Sequence, residues 1–242
     1  MIKNYLNIVL LLVMGSGGVL LAGCEPDASE AAEKVGAVDQ PDTTQQRYVE
    51  GQVLVSTDLP AIRVRLDEAF AYVGELAFTL KDIAWVERYV FVDADEQRRI
   101  ERMFIFQFEG FLDNNDHTYR YRFTNPVELG GHTFNHNTWY YDDAVEMARN
   151  PGAESERTRA FLEEQGYHLE QELMMSRFVA VVDEAKRNEL ILFYFENIRD
   201  TGYTLAEIAT KEGDIAPEHT ALDDSLTYRS RQHFAVLEDS GE

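Results

Sequence analysis

Phe70-Ala71-Tyr72-Val73-Gly74-Glu75-Leu76-Ala77-Phe78-Thr79-Leu80-Lys81 decides the fold class. Phe70, Tyr72, Gly74, Leu76, Phe78 and Leu80 take every second position. The residues between them, Ala71, Val73, Glu75, Ala77, Thr79 and Lys81, are smaller and more polar. A period of two is that of an extended chain whose side chains alternate between two faces; a helix would mix the two sets. Upstream, Ile62, Val64 and Leu66 alternate with Arg63, Arg65 and Asp67, and Glu50 to Ser56 is a further candidate. Downstream, Ile83 to Val92 and Met103 to Phe111 are aromatic and β-branched runs. Tyr119, Tyr121 and Phe123 alternate with Arg120 and Arg122, and Gly131 to Tyr141 completes about seven strands. Short polar links such as Asp113-Asn114-Asn115-Asp116 leave room only for antiparallel neighbours.

Helical signals follow. Asp143 and Glu146 fit a capping box for a helix ending before Asn150-Pro151-Gly152. Glu154 to Gln165 reads as a helix with Phe161 and Leu162 inward and Gly166 as its stop. Thr204 and Glu207 form a second capping box, for a helix through about Lys211 with Gly213 beyond it. Two more strands are expected at Phe178 to Val182 and Glu189 to Glu196, whereas Thr220 to Leu237 suits a helix and, over its last part, an edge strand. The expected architecture is α+β: a mostly antiparallel sheet of about seven to nine strands with helices packed over it, in one globular domain, 47–238. Arg88-Tyr89-Val90-Phe91-Val92 with Phe106-Gln107-Phe108-Glu109 is similar to Arg177-Phe178-Val179-Ala180-Val181 with Phe193-Tyr194-Phe195-Glu196. Two hairpins that meet the same pleat demands, or a duplication, would give this.

The amino terminus carries a different signal. Lys3 precedes the apolar run Ile8 to Met14, and the small residues Gly15-Ser16-Gly17-Gly18 and then Val19-Leu20 follow. This is the order of a secretory signal, and the glycine-cut run is short for a bilayer-spanning helix. Leu21-Ala22-Gly23-Cys24 resembles the lipobox of bacterial lipoproteins. The resemblance implies a signal peptide, 1–23, removed before Cys24, and a diacylglycerol on the Cys24 thiol. An acyl chain on the new amino terminus would make the anchor stable. Glu25, where Asp would retain such a protein at the inner membrane, implies the outer membrane facing the periplasm in a Gram-negative host. Residues 24–46 read as an acidic disordered linker: they are rich in Asp, Glu, Ala, Gln and Thr and hold no aromatic residue.

A net charge of −22 excludes phosphate-led binding of nucleic acid, which needs a basic surface. Loss of the signal removes Lys3 and no acid, so the mature chain is more negative still. Cys24 is the one cysteine, and the domain must be held by packing without disulfides.

Candidate sites are few. His132 and His136 lie four apart, on one side of a strand, and with Asp142 or Asp143 would make a weak metal site. Asp93-Ala94-Asp95-Glu96 and Asp113-Asn114-Asn115-Asp116 lack the glycine and distal glutamate of a calcium loop and read as turns. No nucleophile elbow, dinucleotide fingerprint or Walker loop is present, so no catalytic residue is assigned and no cofactor is expected. Glu75 and Glu87 stand in apolar strands, where an acid is either functional or edge-exposed and salt-bridged, for instance to Arg88. The many strand aromatics, Tyr72, Phe78, Trp85, Tyr89, Phe91, Phe104, Phe106, Phe108, Phe193 and Phe195, form a core or wall a cavity. The expected function is an exported, membrane-anchored binding or envelope-assembly module with a protein partner. A carrier of an apolar ligand and an envelope enzyme, metal-dependent or not, are the alternatives.

Overall fold

The computed structural model describes residues 46–210 and 214–237. The expected signal peptide, the expected linker up to residue 45 and Cys24 lie outside the described residues. The described residues belong to one compact unit that begins at Gln45.

The fold is α+β, with the strands in two antiparallel sheets. β1 (Arg47–Glu50), β2 (Val53–Thr57) and β3 (Ala61–Leu66) form a meander. β4 (Ala71–Leu80), β5 (Ala84–Ala94) and β6 (Ile100–Phe111) form a second, longer one. β7 (Pro126–Leu129) and β8 (His132–Asp142) lead into α1 (Asp143–Arg149) and α2 (Glu154–Glu164), and the chain returns as β9 (Glu172–Val181) and β10 (Asn188–Asn197). α3 (Leu205–Ile208), α4 (Thr220–Gln232) and β11 (Phe234–Leu237) close it. The small sheet runs β1-β2-β3-β11 and the large one β4-β5-β6-β10-β9-β8-β7.

The quoted stretch is β4, at one edge of the large sheet. Its alternation is interrupted by a bulge between Tyr72 and Gly74. Gly74 has φ +142, and a Cβ there would lie 3.2 Å from the Phe161 ring, so the bulge and the missing side chain together admit α2.

The large sheet is covered on both faces, which is why several of its strands are apolar on both. One face sets Phe91, Phe104, Phe106, Phe178, Leu192 and Tyr194 against Leu54, Ile62, Val64 and Leu66 of the small sheet, Leu226 of α4 and Ile208 of α3. The other sets Val90, Val92, Met103, Ile105 and Phe195 against Leu162 and Phe161 of α2. Three layers result. Phe104 is at the centre, with ring centroids 5.0 Å from Phe70, 4.8 Å from Tyr194 and 5.7 Å from Phe234.

Several local expectations move. Asp142, not Asp143, caps α1, accepting from Val145 N at 3.0 Å. Asp143 is buried instead and binds Arg159 of α2. Tyr119 to Phe123 alternates as read but joins no sheet. Gly166 ends α2 with φ +77, and the Thr204–Glu207 box is present on a helix of one turn. The ambiguous carboxy-terminal stretch holds both readings in sequence, helix α4 and then strand β11 on the edge of β3.

The β5–β6 and β9–β10 hairpins are related by a local two-fold in the sheet register. β6 pairs with β10 through Ile105–Phe193, Phe106–Leu192 and Gln107–Ile191. Exchanging the strands about Phe106–Leu192 carries Val90–Ile105 onto Val179–Ile191, and Gly74–Val90 onto Asn135–Val179. Arg88 and Arg177 correspond, as the sequence similarity has it. Phe106, however, corresponds to Leu192 and not Phe193; the slip of one residue would turn β10 over.

Phe104→Ala is expected to cost about 3–5 kcal/mol, measured by chemical denaturation, because four rings lose a shared neighbour. Tyr228→Ala, at a side chain 65% exposed on α4, is expected to change stability by less than about 0.5 kcal/mol.

Candidate functional site

Glu109 on β6 stands directly opposite Glu189 on β10. Like charges at opposed positions of an antiparallel pair destabilise it, because the Cβ atoms are only about 5 Å apart. Both point to the face covered by α2 and by the connection 112–125, which lies over the sheet as an arm. The arm places two phenols on the pair. Tyr119 donates to Glu109 Oε1 at 2.8 Å and Tyr121 donates to Glu189 Oε2 at 2.5 Å. The period-two pattern of 119–123 survives without a ladder because Tyr119 and Tyr121 turn inward to these oxygens while Arg120 and Arg122 stay exposed. Stacking of Tyr119 on Phe111 at 4.4 Å supports the arm from below.

Gln107 links the pair to its neighbours. Its Nε2 donates to Glu109 Oε2 at 2.7 Å and to Glu154 Oε1 at 3.1 Å, and its Oε1 accepts from Arg88 Nε at 2.7 Å. Arg88 is spent on Glu154 Oε2 at 2.8 Å and on Thr158. Arg177 stands over Trp139 at 4.6 Å, and its Nε is buried with no hydrogen-bond partner. Glu109 and Glu189 therefore accept only from neutral groups among the described residues.

Three buried or half-buried carboxylates, Glu109, Glu154 and Glu189, thus share a site with two guanidinium groups, Arg88 and Arg177, and Arg88 is committed to Glu154. Burial, then the charge of Glu154, pushes Glu109 up to about 7. Burial and the facing Glu109 hold Glu189 well above the usual carboxylate range. Burial also raises both phenols, so they remain donors, and lowers both arginines. Burial and the facing like charge thus both favour the neutral form of this carboxyl pair.

The fold does not require these acids. The local two-fold carries Glu109–Glu189 onto Phe195–Met103, an apolar pair beneath α2. One end of the seam is greasy and the other is acidic, on the same backbone.

Of the residues singled out from the sequence, His136 is buried against Phe178 on the opposite face of the sheet. It lies in a hydrogen-bond chain: Asn125 Nδ2 to His136 Nδ1 at 3.3 Å, His136 Nε2 to Ser176 Oγ at 2.8 Å, and Ser176 to Ser230 at 3.0 Å. Donation by Asn125 puts the ring proton on Nε2. Burial lowers the group to about 4, so it is neutral. His132 opens β8 and is half-buried. Among the described residues no three His, Cys, Asp or Glu are grouped to hold a metal. Glu75 is exposed on the β4 edge. Glu87 is bound by Arg47 at 2.8 Å, while Arg88 faces the other way. Asp95 Oδ1 accepts from Gln97 N and Arg99 N, which is turn chemistry.

No family model matches the chain, and no curated protein or solved structure is similar to it.

Because Glu109 binds its proton more tightly folded than unfolded, its contribution to stability is fully present below about pH 4.5 and is lost as pH rises through about 7. The melting temperature, followed by circular dichroism, is expected to fall between pH 5 and 8. Glu109→Gln is expected to flatten that slope and to stabilise the protein at pH 8 by on the order of 2–3 kcal/mol.

Proposed function

We propose that the chain is an exported lipoprotein, anchored through Cys24, whose domain is a binding or assembly module of the cell envelope. The observation that carries the reading is Leu21-Ala22-Gly23-Cys24 directly after a signal-type apolar run. The acidic stretch that follows is suited to holding the domain off the membrane. In a Gram-negative host, Glu25 favours the periplasmic face of the outer membrane, and the acidic surface favours a protein partner over nucleic acid.

The two alternatives find less support. A carrier needs a cavity, but the strand aromatics fill the interior against one another: Phe91 on Phe106 at 5.9 Å, Tyr89 on Phe108 at 6.1 Å, Phe104 on Tyr194 at 4.8 Å. An enzyme using the acid pair needs substrate to reach it, and Glu189 is 3% exposed beneath Tyr121.

Metabolic labelling with palmitate tests the anchor. Label is expected in the wild-type chain and is expected to be absent from Cys24→Ser, with the domain released from the membrane fraction; equal labelling of both refutes the reading. Crosslinked copurification from membranes is expected to recover a protein partner, and recovery of a stoichiometric apolar ligand instead would favour the carrier.

A further inference from the structure

The local two-fold of the large sheet carries the row Leu76–Arg88–Gln107 onto the row Asn137–Arg177–Phe193, both on the α2 face. The same backbone thus holds two arginines in one register, and their surroundings differ. At Arg88 the chain supplies every partner. Nε donates to Gln107 Oε1 at 2.7 Å. Glu154 of α2 accepts from Arg88 Nη2 at 2.8 Å through Oε2, and from Gln107 Nε2 at 3.1 Å through Oε1. One carboxylate is gripped by a guanidinium and a side-chain amide together.

At Arg177 the amide has changed flank. Phe193 stands where Gln107 accepts in the other row, so Nε is buried with no hydrogen-bond partner. No carboxylate among the described residues is ion-paired with this guanidinium, which lies 4.6 Å from the centroid of the Trp139 ring. The residue is half-buried, and its terminal nitrogens are the ones left toward the surface. Asn137 is opposite Arg177 in the ladder, and opposed side chains of an antiparallel pair have Cβ atoms only about 5 Å apart. The arm fixes its amide. Thr124 N and Asn125 N donate to Asn135 Oδ1 at 2.9 and 3.1 Å, which turns Asn135 Nδ2 to Asn137 Oδ1 at 2.7 Å. Asn137 therefore presents Nδ2, a donor, beside Arg177. On the other side of Arg177 the half-buried Phe193 offers an apolar wall.

We propose that Arg177 and Asn137 form a binding site for a carboxylate from outside the chain, with Phe193 against the apolar part that carries it. The Glu154 carboxylate on Arg88 and Gln107 shows which anion a guanidinium and an amide accept together on this sheet. One positive charge matches one negative charge; a phosphate dianion would bring a second near Glu109, Glu154 and Glu189 with nothing to balance it. Those three acids do not compete for the site. Glu154 is bound to Arg88, Glu189 accepts from Tyr121, and Glu109 accepts from Tyr119 and Gln107. A buried guanidinium donor with no acceptor costs stability, and a site for an external acid accounts for its presence. The inference rests on the reading of the domain as a binding module and not on the lipid anchor.

NMR of the full chain with isotope-labelled arginine reads the site at the Arg177 Nε–H resonance. Hydrocinnamate stands for a small organic acid and N-acetylphenylalanine for the carboxy terminus of a protein. One or both are expected to shift this resonance to saturation and to leave that of Arg88 in place, and the tighter of the two identifies the source of the carboxylate. The corresponding amides, alike in shape but uncharged, are expected to bind about tenfold more weakly or not at all. Phosphate is expected to bind no tighter than acetate. In the variants the indole N–H of Trp139 reports binding. Arg177→Met is expected to abolish it with no fall in melting temperature, since an unpaired buried charge is removed. Asn137→Asp sets an acid of the chain beside Arg177; it is expected to weaken binding about tenfold and to raise the melting temperature, and it serves if Arg177→Met does not fold. No shift of Arg177 by either acid, equal binding of acids and amides, tighter binding of phosphate than of acetate, or wild-type affinity in Arg177→Met or Asn137→Asp would overturn the proposal. Failure of both acids, with a protein partner still recovered by copurification, would remove this site and leave the module standing.

Discussion

The seam between β6 and β10 is the constraint on which the molecule depends. It joins a three-stranded half, β4-β5-β6, and a four-stranded half, β10-β9-β8-β7, into one sheet, from Asn188 opposite Gly110 to Glu196 opposite Arg102. Neither half could bury both its faces alone, since a strand pair or triplet needs a partner layer on each apolar side. Once joined, the sheet takes α2 on one face and the small sheet with α4 on the other. The same register that aligns Phe106 with Leu192 in the core forces Glu109 and Glu189 together at one end.

Ionic groups occur on both sides of the sheet, and their balance differs. On the face toward α4, Glu196 receives two bonds from Arg229, and Asp93 is paired with Arg102. Each of these two acids has its own base; the first pair ties α4 to β10 and the second ties β5 to β6. On the α2 face the acids outnumber the available bases, and phenols take the place of a cation. Buried polar networks that are incompletely neutralised cost stability, which is tolerated where the imbalance is used. The apolar Met103–Phe195 pair at the symmetry-related position demonstrates that this backbone accepts a less costly solution.

Much of this was legible in the sequence, and the remainder was not for identifiable reasons. Period two gave β3 and β4, and aromatic and β-branched runs gave β5 and β6. β2, β8, β10 and the second half of β9 were expected too, and the fold class with them; β1 and β7 were not. The division into two sheets was hidden because β11 pairs with β3 across nearly the whole domain, a contact that no local pattern marks. Tyr119 to Phe123 was read as a strand because an arm with alternate residues tied inward has a strand's period. Gln107 and Glu109 were visible only as members of a repeated hairpin. Glu189 looked like the first residue of a strand. Nothing in either segment indicates that the two meet, because the pairing of β6 with β10 is non-local. Glu75 and Glu87 drew attention by standing among apolar residues, yet one faces solvent and the other faces Arg47. Partnership, and not sequence neighbourhood, separates them from Glu109.

The central claim is that the carboxyl pair at the seam favours its neutral form. Glutamate labelled with carbon-13 at the side-chain carboxyl, followed by NMR through a pH titration, tests it most directly. A carboxyl resonance that remains in the protonated position at pH 6, titrates near or above 7, and is lost in both Glu109→Gln and Glu189→Gln is the predicted result. Titration of every glutamate between about pH 4 and 5 would contradict it.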